Sequence, residues 1–263
     1  MTEKKVVMQI DKRGVATVTL NNPGKHNSFD DHIIAELTAS FVQIGENKDV
    51  RVMILAATGK NFSAGADLNW MKRMMGYSYE ENFKDAKKLA DMLKTLNYLP
   101  VPTVARVQGG VFGGAVGLVI CCDMAVAATG ASFSLSEVKI GLLPATISPY
   151  VIDAIGQRAA RRYFVTAERF SAQTAARLGL VSEVVEQDQL DEEINKLIKS
   201  LLANSPAAIK GAKQLVFNVA GQEVNDELID FTSEQIAEIR VSAEGQEGLS
   251  AFFEKRKPVW SVS

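Results

Sequence analysis

Between Val107 and Asp123 the chain reads VQGGVFGGAVGLVICCD, with five glycines in nine positions and an apolar run directly behind them. No other stretch restricts the fold as much. Glycine takes backbone conformations closed to other residues and lets a second backbone or a ligand approach closely. Thr103–Val107 before it reads as a short buried strand. Residues 115–122 after it read as a buried helix. The chain must therefore leave a buried strand, turn on glycines and enter a helix with nothing bulky between. The spacing of Gly110–Gly114 and Gly113–Gly117 is also the spacing that lets packed elements approach, so tight packing and ligand access both account for it. No phosphate-loop lysine follows and the GxGxxG register is absent, which excludes a nucleotide loop.

The rest of the chain sets the surroundings. Val6–Asp11 and Val15–Leu20 alternate or run β-branched around Lys12-Arg13-Gly14, which predicts a hairpin. Asp30 or Asp31 caps a helix with Ile33, Ile34, Leu37, Phe41 and Ile44 on one face. Val50–Ala57 reads as a buried strand, residues 59–67 (GKNFSAGAD) as a small-residue loop, and Tyr79–Leu99 as a helix ended by Pro100 and Pro102. Met124–Ala128 is another strand. Helices follow over Ser148–Ile155, Arg158–Phe164 and Ala172–Leu178, then a strand at Val181–Val185. The remainder is helical: Leu190–Ala203, Pro206–Ala220, Glu223–Arg240 and Ala243–Phe253. Strands and helices alternate first and helices alone come after, which argues for an α/β core with a helical C-terminal appendage. Asn204-Ser205-Pro206 is the natural boundary, dividing 1–203 from 204–263.

Composition narrows the function classes. The 263 residues are 47% hydrophobic and 23% charged, an ordinary globular mixture. The net charge of −2 offers no basic field for nucleic acid or an anionic membrane. Val111–Cys122 is too short to span a bilayer. Cys121 and Cys122 sit side by side in an apolar run and read as reduced core thiols. The charged residues at Met1–Lys5 are not a secretory signal, so the expected location is cytoplasmic. His26 and His32 have no ligand cluster around them, so no metal site is expected.

Two small-residue loops can carry chemistry. SAGAD (63–67) and GGVFGGAVG (109–117) each follow a predicted strand. A helix opening at Gly114 leaves that residue's N–H without an intrahelical partner, at the positive end of the helix. A second free N–H from the Gly65–Ala66 turn would complete a two-donor pocket for a developing oxyanion.

Taken in order, FSAGADL, VQGGVFGGAVGL…CCDMAVAA, FSLSEVKIGLLP and the C-terminal AFFEKRKPVW resemble the enoyl-CoA hydratase/isomerase (crotonase) family, over nearly the whole chain. LNNPGKHNSF near the N-terminus resembles the family's first coenzyme A-contacting segment. Within the family, LSEVKIGLLPATISPYV is most similar to bacterial methylglutaconyl-CoA hydratases of leucine degradation. The implied fold is a spiral α/β core of repeated ββα units with a C-terminal helical region that covers coenzyme A and mediates assembly. The implied assembly is a homo-trimer or a dimer of trimers. No resident cofactor is implied; coenzyme A arrives as part of the acyl-CoA thioester.

The resemblance assigns roles residue by residue. Ala66 and Gly114 would bind the thioester oxygen through their backbone N–H groups. Glu137 matches the acid/base glutamate that exchanges a proton with the α-carbon, and its apolar neighbours Phe133, Leu135, Val138 and Ile140 should raise its pKa. Lys25, Ser28, Ala64, Asp67 and Leu68 match coenzyme A-contacting positions. Ala145, beside Pro144, matches the family's water-holding turn, with Thr146, Ser148 and Tyr150 as nearby polar candidates, some of which serve equally as helix caps. Phe253 and Lys255 match a segment that reaches the nucleotide end of coenzyme A, although EKRK reads equally as a solvated helix end. Lys72 and Arg73 are candidates to pair with a distal carboxylate on the acyl group, and an exposed helix face accounts for them as well.

One position departs from the family. Gly117 stands where many hydratases carry a second, water-activating glutamate, and no Asp or Glu occurs from Val107 to Cys122. Three functions follow as expectations. The first is a hydro-lyase that adds water across the double bond of an α,β-unsaturated CoA thioester. The second is a double-bond isomerase with Glu137 as single base. The third is a non-catalytic acyl-CoA-binding or RNA-binding protein, with the near-neutral charge arguing against RNA.

Overall fold

The computed structural model describes residues 4–261. The alternating N-terminal residues form the predicted hairpin, β1 (Val6–Ile10) antiparallel to β2 (Val15–Leu20). Every later pairing in the main sheet is parallel. That sheet also holds β3 (Val52–Ala57), β4 (Thr103–Val107), β6 (Met124–Ala128) and β9 (Glu183–Val185), in the order β1-β2-β3-β4-β6-β9. Parallel neighbours need long crossovers. These are supplied by α1 (Asp31–Glu46), by α2 (Leu68–Met74) with α3 (Tyr79–Asn97), by α4 (Gly114–Ile120), and by α5 (Ser148–Thr166) with α6 (Ala172–Leu178).

A second, smaller sheet explains the glycine segment. It consists of β5 (Gly110–Phe112), β7 (Ser132–Ser134) and β8 (Phe170–Ser171). Single bridges extend it from Val111 to Ser63 and join Ala66 to Phe29. After a strand in the large sheet, the chain thus lays down a short extended piece in this layer and then enters a helix or turn. Val52–Ala57 is followed by residues 63–66, β4 by β5, and β6 by β7. The implied spiral of ββα units is the observed fold. Two side chains hold its corners. Gln108, buried, donates to the Ala57 carbonyl at 2.8 Å, and Asn61 Oδ1 accepts from Gly110 N at 2.9 Å.

Period-2 alternation divides the main sheet between two cores. Ala16, Met53 and Ala105 face the larger one with α1, α3 and α4. Val15, Val52, Val104 and Val126 face the other way, against Leu190, Ile194, Ile198 and Leu202 of α7 (Leu190–Leu202). Asp30 is the cap of α1, accepting from Ile33 N at 3.0 Å. The helices predicted at Ser148–Ile155 and Arg158–Phe164 are both present within Ser148–Thr166 (α5), separated by a kink at Gly156, where φ is 74° and the backbone is not helical.

Six elements depart from the predicted set: the short helical turns Pro23–Lys25 and Glu137–Ile140, the strands β5, β7 and β8, and helix α2. β5, β7 and β8 are two or three residues long and too short to show a period; they exist because partner strands are already in place. α2 occupies LNWMKRM, where only Trp70 is buried. With a single inward residue, a helical period is barely visible there.

Helices α8 (Pro206–Val219), α9 (Asp226–Val241) and α10 (Ala243–Phe253) bury almost nothing within this chain; Ala251 is their one buried residue. Polar clamps tie them to the core. Arg51 donates through Nη1 to Trp260 O at 2.9 Å and through Nη2 to Leu202 O and Asn204 O at 2.9 and 3.0 Å. Lys213 Nζ donates to Asp123 Oδ2 at 2.8 Å and to Val101 O at 3.1 Å. Among the described residues no helix is long and apolar enough to cross a membrane.

Because Arg51 satisfies three carbonyls at once, Arg51→Met should lower unfolding stability by on the order of 2 kcal/mol. Urea denaturation measures the loss, and limited proteolysis should cut first around residues 204–206.

Candidate active site

The two small-residue loops press backbone against backbone. Ser63, fully buried, donates its Oγ to Asn27 O at 2.7 Å and accepts from Gly65 N at 3.1 Å. Gly65 has a φ of 85°, and a Cβ there would lie 2.6 Å from the Phe112 carbonyl oxygen. No side chain fits, so glycine is what brings residues 65–66 alongside residues 112–114. The neighbouring donors are used. Gly113 N bonds to Ser134 O at 2.9 Å, and Asp67 N to Phe29 O at 2.9 Å. Among the described residues, the N–H groups of Ala66 and Gly114 donate to nothing. Two unused donors thus stand on two loops in direct contact.

Glu137 opens a single helical turn, Glu137–Ile140, that follows β7. A Cβ on Gly113 would meet its Oε1 at 3.3 Å, which places the carboxyl beside the Gly113–Gly114 corner. Its Oε2 is buried and has no hydrogen-bond partner. Burial is the main cause that lifts this carboxyl above the ordinary glutamate range, opposed by a hydrogen bond from its own backbone. Of the apolar neighbours expected, Phe133 and Leu135 are fully buried, whereas Ile140 is exposed at the mouth of the site. A buried carboxyl oxygen without a partner is costly unless it is protonated or meets a ligand.

Gly117 lies one turn into α4 and is buried. A Cβ on it would come within 2.5 Å of Ile147 Cγ2 and 3.2 Å of Leu93 Cδ2. The space where a longer side chain would start is occupied by aliphatic carbon. Neither Ile147 nor Leu93 is marked by any pattern in the sequence; only the fold brings them to α4.

The remaining candidates divide into groups. Lys25 Nζ binds Asp67 Oδ2 at 2.8 Å, and Asp67 also accepts from Asn69 N and Trp70 N at the start of α2. The Lys25 hydrogen bond is the first cause holding the Asp67 carboxyl below its usual range. Ser28 is buried beside them; Ala64, whose N–H bonds to His26 O, and Leu68 are exposed. The Phe29–Ala66 bridge joins these segments, so Lys25, Ser28, Ala64, Asp67 and Leu68 border the two free donors. Ala145 lies in the turn before α5, its carbonyl accepting from both Ser148 N and Ser148 Oγ. Ser148 therefore donates back to that turn and does not cap α5, which has no side-chain cap. Tyr150 is half-buried, and burial is the first cause that raises its phenol above the usual range, with Cys121, Tyr98 and Asp91 adding to it. Phe253 and Lys255 stand exposed at the end of α10, which packs on α8 and α9.

A cavity of about 620 Å³ lies between α2 and the segment that begins with the Glu137–Ile140 turn. Leu68, Met71 and Met74 of α2, with Met75 just past its end, form one wall, and Ile140 and Leu142 form the other. Lys72 also lines it, while Arg73 is ion-paired with Asp31. Among the described residues no three His, Cys, Asp or Glu side chains are grouped to hold a metal ion.

Comparison with known proteins identifies the family. A family model described as enoyl-CoA hydratase/isomerase matches residues 11–262. The chain is 30% identical over 255 residues to a short-chain-enoyl-CoA hydratase of Clostridium acetobutylicum, covering 94% of this chain and 95% of that protein. It is 31% identical over 249 residues to human enoyl-CoA hydratase domain-containing protein 3, mitochondrial, covering 94% of this chain and 81% of that protein. The crystal structure of an enoyl-CoA hydratase from Shewanella pealeana superposes with a TM-score of 0.94 at 47% identity, covering 98% of this chain and 96% of that one. On its fold, its sequence and its relatives, the chain belongs to the enoyl-CoA hydratase/isomerase, or crotonase, family.

Proposed function

We propose that this protein is a hydro-lyase that adds water across the α,β double bond of an enoyl-CoA thioester, with 3-methylglutaconyl-CoA as its substrate. The observation that carries the reading is the unpartnered, buried Oε2 of Glu137 beside two loops with free backbone donors. Water attacks the β-carbon and the π electrons move to the thioester oxygen. Ala66 N–H and Gly114 N–H hold the enolate oxygen with dipoles already in place. The Glu137 carboxylate takes the proton released by the water and returns it to the α-carbon as the thioester carbonyl re-forms. Coenzyme A comes and goes with the acyl group, and no resident cofactor takes part. Lys25, Ser28, Ala64, Asp67 and Leu68 follow its path, and Phe253 and Lys255 meet its nucleotide end, within one subunit or across a boundary in a trimer or a dimer of trimers. The LSEVKIGLLPATISPYV motif supports the choice of acyl group.

One observation favours a second reading. Ile147 and Leu93 occupy the space beside Gly117, so Glu137 has no carboxylate partner there. A double-bond isomerase needs one base only, taking a proton from the α-carbon and returning it to the γ-carbon.

Crotonyl-CoA and 3-methylglutaconyl-CoA, mixed separately with the protein, separate these readings. Loss of the conjugated thioester absorbance, reduced by a factor of about 10²–10⁴ in Glu137→Gln, is the expected result. Undiminished activity in Glu137→Gln would overturn the role of Glu137, and deuterium entering at carbon without water addition would favour the isomerase.

The raised pKa of Glu137 sets two opposite pH effects. Activity needs the carboxylate, so kcat/KM should fall with acid through a midpoint above the ordinary glutamate range. For stability the sign reverses. Below the unfolded pKa the group is neutral in both states and costs nothing. As pH rises through the folded pKa, the folded state must bury a charge. Glu137→Gln should therefore be more stable than wild type at pH 8, and the gap should close near pH 4, as measured by thermal melting.

A further inference from the structure

We infer that Lys72 selects substrates whose acyl chain ends in a second carboxylate. The inference rests on the enoyl-CoA reading above and assigns the far end of that site. Both walls of the cavity belong to segments that carry the reacting groups: Ile140 ends the turn that Glu137 opens, Leu142 N donates to Glu137 O at 3.1 Å, and Leu68 lies two residues past Ala66. Its walls are aliphatic and thioether carbon. Among the described residues Lys72 is the only charged side chain that lines it.

The ammonium has no partner. Among the described residues Lys72 takes part in no hydrogen bond or ion pair, and the neighbouring charges are committed elsewhere. Asp67 is held by Lys25, and Asp31 by Arg73. Asn82, the other polar residue lining the cavity, spends its amide donors on Tyr77 O and Ser78 O at 3.1 Å each. A neutral chain would fill the cavity and leave Lys72 to water. A terminal carboxylate entering the same apolar space would be costly alone, and Lys72 offers it a charge-assisted bond. Reach agrees with a short chain, since Leu68 and Lys72 are one turn apart on the same helix face, a rise of about 6 Å. Arg73 points off that face and is pinned to Asp31.

The test compares kcat/KM for glutaconyl-CoA, which carries the second carboxylate, with crotonyl-CoA, which lacks it. Wild type should prefer glutaconyl-CoA by roughly tenfold to a hundredfold, the worth of one hydrogen bond to a charged group. Lys72→Met should collapse that ratio, Lys72→Arg should largely restore it, and Arg73→Met should leave it in place. No preference in wild type, or a ratio that survives Lys72→Met, would overturn the inference while leaving the hydratase reading intact. If neither thioester is turned over, the reaction reading fails, and calorimetric affinities for glutaryl-CoA against butyryl-CoA decide the point. A wild-type preference for glutaryl-CoA that Lys72→Met removes sustains the role of Lys72, and equal affinities refute it.

Discussion

The close approach of Gly65 to the Phe112 carbonyl is the contact on which the site depends. It is a steric constraint, since a Cβ at that point would lie 2.6 Å from a backbone oxygen that cannot move without breaking the small sheet. That sheet is only two or three residues deep. Ser63 pairs with Val111 on one side and Ser132 with Gly110 on the other. Displacing Phe112 would disturb both. The price of a larger residue at 65 is therefore the placement of two loops and the donors they carry.

The same economy of space shapes the reacting centre. Parallel strands of the large sheet are buried on both faces, so polar chemistry has no room within them. It is displaced to the short second layer, where each strand passes into a helix or turn and leaves N–H groups unused. Glu137 arrives by the same route as the glycine corner, one spiral turn later, because β7 pairs with β5. Its burial follows from that pairing. Its elevated pKa follows from its burial and from the absence of a partner on Oε2.

Gly117 illustrates how one small residue changes what a site can hold. Its hydrogen-only side chain admits Ile147 against α4, and the aliphatic contact closes the space in which a second carboxylate would stand. Glu137 is left without a carboxylate partner on that side, and the proposed reaction accordingly relies on it and on backbone dipoles.

Much of this was legible in the residues alone. Asp30 capping α1, the hairpin around Gly14 and the apolar stripe of α1 are local: each rests on neighbours within a few positions, and local propensity suffices to read them. The loops SAGAD and GGVFGGAVG announced two sites of close backbone approach, and the glycines could be counted before anything was known of the fold. What the residues could not give was who approaches whom. Short strands such as β5 and β7 carry no period, so their pairing, and with it the meeting of Ala66, Gly114 and Glu137, exists only once the long parallel strands have placed them. Ile147 and Leu93 are ordinary aliphatic residues until the fold sets them against Gly117. Lys72 and Arg73 are equivalent as letters; tertiary structure ties Arg73 to Asp31 and leaves Lys72 facing the cavity. Sequence determines which backbone conformations and which burial each residue permits. Contacts between residues far apart in the chain depend on the relative placement of whole elements, and that only the tertiary structure decides.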